Sequence, residues 1–129
     1  MRNLAIVLTA SLLGASCASM KTPYSEVLGD RFNVTIADRR AVDIVSVGSA
    51  NGWAGGGPLQ VEPGLHRVVI SSRSHGGFRG ETVDFELKVE PCTRYYINAQ
   101  FSNPITPSFV PVVDHQEPIS GCARPTAKA

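Results

Sequence analysis

The side chains able to do chemistry in this chain are few and dispersed. Its histidines are His66, His75 and His115. A zinc centre draws its ligands from closely spaced Cys or His pairs. No such pair is present, and Asp114 beside His115 adds a single carboxylate. A serine nucleophile on a Gly-x-Ser-x-Gly elbow is missing as well. Glycoside hydrolysis needs two acids facing across a cleft. Glu81, Asp84, Glu86 and Glu90 instead follow one another along a single segment. The sequence therefore predicts no catalytic residue, no metal and no cofactor, and the chain reads as non-enzymatic.

Two glycine-rich segments carry recognition chemistry instead. Ser74-His75-Gly76-Gly77-Phe78-Arg79-Gly80 combines an aromatic ring with a planar donor fork, which suits a carboxylate or a peptide. The plainer alternative is an ordinary, rather long hairpin connection. Asn51-Gly52-Trp53-Ala54-Gly55-Gly56-Gly57-Pro58 holds the sole tryptophan. Either Trp53 is presented to a partner such as a cell-wall sugar, or it folds back to bury its large apolar area. The segment lacks the Gly-Lys-Ser/Thr ending of a phosphate-binding loop. The candidate binding residues are thus Trp53, His75, Phe78 and Arg79.

The elements that must position these loops read as strands. Glu81 to Glu90 alternates most clearly, with Val83, Phe85, Leu87 and Val89 on one face. Phe32 to Ile36 alternates too, and Val34, Ile36 and Val45 are expected in the core. Asp38 to Arg40 reads as a turn, Ala41 to Val47 as a β-branched strand, and Glu62-Pro63-Gly64 as a type II turn. His66 to Ile70 and Tyr95 to Phe101 follow as strands, with Tyr95 and Tyr96 on opposite faces, one buried and one exposed. Phe109 to Val113 is a short last strand, which Pro111 places at an edge or in a bulge. About seven short strands and frequent turns predict an all-β chain, a small antiparallel β-sandwich or barrel.

Composition narrows the function classes. Arg2 is the one charged residue before Cys17, so the remainder balances 11 basic against 11 acidic side chains. With no run of like charge, nucleic acid is not expected as a partner. The start of the chain is more informative. Arg2 precedes a ten-residue apolar run, Leu4 to Leu13, and then Gly14-Ala15-Ser16-Cys17. Ten residues suit the core of a secretory signal and are too few to span a bilayer.

Leu13-Gly14-Ala15-Ser16-Cys17 resembles the lipobox of bacterial lipoproteins, although Gly14 stands where that family prefers leucine. The resemblance implies a signal peptide over 1–16, diacylglycerol and fatty-acyl groups such as palmitate on Cys17, and attachment to a membrane. Ordinary cleavage, for instance after Ala18, giving a secreted periplasmic protein, stays open. Ala18 rather than aspartate follows the cysteine, which by the same resemblance implies the outer membrane, with the domain facing the periplasm. If Cys17 carries lipid, Cys92 and Cys122 remain as a disulfide-capable pair, the alternative being two buried thiols. Residues 17–27 then read as a tether, 28–122 as the domain and 123–129 as a disordered tail.

Leu59 to Ile70, with its strand, Pro-Gly turn, histidine and second strand, is similar to the PEGA-type domains of bacterial envelope proteins. Glu90 to Ala99 is similar to the second half of uncharacterised lipoproteins of that layout. The resemblance covers about residues 32–101 and implies a β-sandwich that binds or spaces envelope proteins. A protein partner in an envelope assembly is therefore expected, with a glycan or small ligand at the 51–57 and 74–80 loops as the alternative.

Overall fold

A computed structural model of the chain describes residues 23–52, 57–74, 77 and 79–122. The expected signal peptide over 1–16, Cys17, Trp53, His75, Phe78 and residues 123–129 lie outside the described residues. What is described is all-β. The strands are β1 (Ser25–Leu28), β2 (Arg39–Val47), β3 (Ala50–Asn51), β4 (Leu59–Val61), β5 (Gly64–Ser72), β6 (Thr82–Val89), β7 (Thr93–Phe101) and β8 (Phe109–Pro118).

The hydrogen-bonded order is β4-β1-β7-β2-β5-β6, with β8 on the other edge of β7 and β3 on β2. Among the described residues there are eight strands, where about seven are read from the sequence. The sheet is mixed rather than wholly antiparallel, because β1 runs parallel to β7. Strand β2 links two groups of strands. Its first residues, Arg39 to Ala41, pair with β7, and Val42 to Val47 pair with β5. One edge of β7 is accordingly shared, first by β1 and then by β2. Gly29 sits at the changeover, where its carbonyl accepts from Val42 N at 2.8 Å. A Cβ on Gly29 would strike the Val42 carbonyl, so the close approach requires glycine.

A single buried cluster takes Val27 from β1, Val42 and Val47 from β2, Val68 and Ile70 from β5, and Ile97 from β7. Each such side chain contributes about 1.5–3 kcal/mol relative to exposure. Tyr95 ties β7 to the end of β6: its hydroxyl accepts from Glu90 N at 2.8 Å and donates to Lys88 O at 3.4 Å. Cys92 and Cys122 form a disulfide with Cα atoms 5.5 Å apart. It pins the segment after β8 to the turn before β7.

Several local expectations are corrected. Ser25 to Val27, assigned to the tether by sequence, form most of β1 and are buried between β4 and β7. Ser25 earns that burial through its hydroxyl, which donates to Glu90 O and accepts from Thr93 N at 3.1 Å. Phe32 to Ile36 is no strand. Asn33 Oδ1 accepts from Thr35 N at 3.0 Å and from the Thr35 hydroxyl at 2.6 Å, which folds the segment into turns. Val34 is left 78% exposed, and Ile36 is exposed as well. Val45 is also exposed, because it is the extra residue of a bulge between Ile44 and Ser46. Arg39 and Arg40, expected in a turn, begin β2, and the turn is made by Asp38 at φ 58°. Strand β8 runs on to Pro118, and Pro111 does lie on an edge strand.

Candidate functional site

The polar side chains of β7 converge on one face. Its odd-numbered residues, Tyr95 to Phe101, enter the core. Arg94, Tyr96, Asn98 and Gln100 alternate onto the opposite face. That face is covered by the chain between β1 and β2. Asn98 holds it down: its Nδ2 donates to Arg31 O at 2.6 Å. Gln100 Nε2 reaches Ala37 O at 2.9 Å. Tyr96, one of the pair expected to divide between core and solvent, is therefore buried at 5% exposure, like Tyr95.

Strand β8 adds its own polar groups through a bulge. Tyr96 pairs with His115 and Ile97 with Val113, so Asp114 is an extra residue. A bulge turns consecutive side chains toward one face. Asp114 and His115 accordingly both border the groove that contains Tyr96. The Asp114 carboxylate is bound by Arg39 Nη1, and Arg39 Nε also donates to Gln100 Oε1 at 2.9 Å. Both members of that ion pair are nearly buried, at 13% and 12% side-chain exposure.

Beside it lies a second charge cluster. Arg94 Nε donates to Glu26 Oε2 at 2.8 Å, and Arg94 Nη1 donates to Glu117 Oε1 at 2.9 Å. The Tyr96 hydroxyl donates to the same Glu117 oxygen at 2.6 Å. The Tyr96 hydroxyl first, and Arg94 second, hold the Glu117 carboxyl below the usual carboxylate range. The two glutamates in turn raise Arg94 above its ordinary value. The ionised forms of Glu117 and Arg94 are thus both favoured. A general acid or base instead needs a pKa close to the working pH.

The groove itself is about 270 Å³, bounded by Arg31, Phe32, Asn33, Tyr96, Asp114 and His115. The Arg31 guanidinium lies 5.1 Å from the Tyr96 ring centroid, and the His115 ring stacks on Tyr96 at 5.8 Å. Strict alternation would put Asp114 and His115 on opposite faces, so the constellation does not follow from the strand pattern alone. The signal in the sequence is the switch within β8 from the apolar Phe109 to Val113 to the polar Asp114-His115-Gln116-Glu117.

The sequence-predicted binding residues fare differently. Trp53, His75 and Phe78 lie outside the described residues, and Arg79 is exposed. The stems of the two loops do approach one another. Gly52 and Gly57 from one, and Arg73 before the other, border a common cavity with Asp43 and Ile44. That cavity measures only about 20 Å³, room for a single water. His66 is engaged in the turn before β5, where Nε2 lies 2.6 Å from Glu62 O. Among the described residues no three His, Cys, Asp or Glu side chains gather as a metal centre would require.

Comparison of the chain with protein-family models, with curated proteins and with solved structures gives no match.

Proposed function

We propose that the chain is a non-enzymatic cell-envelope lipoprotein, acylated at Cys17 and held at the outer membrane facing the periplasm. Its all-β domain serves as a protein-binding or accessory module of an envelope assembly. The observation that carries the partner is the outer edge of β6. This strand ends the hydrogen-bonded order, pairs with β5 over eight residues without a register shift, and contains no proline. Such an edge can accept an extended segment of another protein as an added strand. The other long edge, β8, is broken by the Asp114 bulge and by Pro111 and Pro118. The Cys92–Cys122 disulfide supports the address, because it leaves Cys17 as the odd cysteine.

A photocrosslinking residue at Glu86 in the middle of β6 tests the partner in intact cells. A single defined envelope protein should be captured there and lost when the crosslinker is moved to exposed Glu62. Equal capture at both positions, or none at either, would overturn strand addition. Mass spectrometry of the mature N-terminus tests the anchor, and an unmodified start at Ser19 would sink it.

A further inference from the structure

Among the side chains that line the groove between the β1–β2 connection and the β7–β8 pair, the unused hydrogen-bonding capacity is mostly in donors, the orphaned acceptor of this face, Asn98 Oδ1, being buried outside that lining. Arg31 makes one long contact, Nη1 to the Tyr96 hydroxyl at 3.4 Å. No carboxylate pairs with it among the described residues, although its cation lies at the mouth of the groove. Asn33 uses Oδ1 twice in its own turn, which leaves the Nδ2 donors without a partner among the described residues. His115 is exposed, and its ring carries at least one N–H. Its nearest carboxylate, Glu117, stands 3.8 Å away, beyond hydrogen-bond distance. The one acid in the wall, Asp114, is neutralised by Arg39. Phe32 and Tyr96 supply apolar and aromatic surface between these donors.

The geometry points to a carboxylate-binding groove. A ligand carboxylate would sit against the Arg31 guanidinium, whose planar fork matches two oxygens, with Asn33 Nδ2 and the His115 ring at its sides. The neighbouring atoms of the ligand would lie on Phe32 and Tyr96. Two sources share this chemistry: a free small carboxylic acid, and the C-terminal carboxylate of a peptide chain. The inference does not rest on the lipid anchor or on the β6 edge, and its failure would leave both untouched.

The test is an NMR titration of the full chain in detergent, with three probes: acetate, N-acetyl-Ala-Ala bearing a free C-terminus, and the same dipeptide as its amide. Acetate and the free acid should give saturable shifts confined to Arg31, Asn33, Tyr96 and His115, and the amide should give none. Tighter binding of the peptide acid than of acetate assigns the groove to chain ends. Equal affinity assigns it to small acids. Arg31→Gln should weaken binding by about tenfold or more, the scale of one charge-assisted bond. Asn33→Asp is a second variant that preserves the turn-forming acceptor and sets a negative charge in the groove. It should abolish binding while the rest of the spectrum is unchanged. Shifts that do not saturate, that are matched by the amide, or that survive both substitutions would overturn the proposal.

Discussion

The Tyr96 hydroxyl donates to Glu117 Oε1 across 2.6 Å, and this bond does more than Arg94 to hold the glutamate in its ionised form. A carboxyl whose pKa is lower folded than unfolded stabilises the fold only when ionised. The contribution is fully present above the ordinary value of 4.5 and disappears as the pH falls through the lower, folded value. Arg94, raised rather than lowered, stays charged throughout and adds no slope there. Tyr96→Phe and Glu117→Gln should therefore each be less stable than the parent at pH 7 and lose less on acidification. Urea midpoints at pH 7 and pH 3 check this, and parallel losses in parent and variants would contradict it.

Asp114 and Arg39 should behave as a coupled pair. Asp114→Ala leaves the Arg39 guanidinium nearly buried without its anion and should cost about 3 kcal/mol. Asp114→Leu alone should lose a similar amount, and adding Arg39→Met to it should recover much of that loss, because two apolar groups leave no charge to desolvate. Chemical denaturation of the single and double variants measures the coupling.

The disulfide closes a loop of sequence separation 30. Replacing Cys92 and Cys122 together by serine should lower stability by about 3.5 kcal/mol on the chain-entropy account. Reduction with dithiothreitol should lower the unfolding free energy of the parent, read from urea titration, by a similar amount and leave that of the double variant unchanged.

Gly52 and Gly57 flank the same loop, yet they should respond differently to alanine. A Cβ on Gly52 would collide with the Ile44 carbonyl, whereas a Cβ on Gly57 meets nothing. Gly52→Ala should lower stability by about 1–3 kcal/mol, the usual range for forced displacement. Gly57→Ala should be close to neutral. Thermal melts of the two variants distinguish them.

The parts of the fold that obey simple alternation were legible in the sequence. Val83, Phe85, Leu87 and Val89 do face inward along β6, with Leu87 and Val89 buried. Legibility failed where a local bond or a tertiary cover outweighed the pattern. Asn33 captured Thr35 and turned an alternating segment into a loop. Ser25 and Glu26 are polar, and so read as tether, but each finds a partner that makes burial tolerable: Glu90 and Thr93 for the serine, Arg94 for the glutamate. The groove was invisible for a related reason. It depends on a bulge at Asp114, and on Asn98 drawing Arg31 onto a sheet face that sequence alone would leave to solvent.

The parallel pairing of β1 with β7 has a mechanical side. The chain enters β1 at Ser25 and runs along β7 with β4 on its other flank. A pull on the chain ahead of Ser25 is directed along the strand, while the hydrogen bonds to both neighbours lie across it. They would be loaded together in shear, where a strand peeled from its end surrenders them one at a time. Traction from the N-terminal side thus meets the collective strength of β1, and the buried Val27 and Leu28 would have to leave the core in the same event.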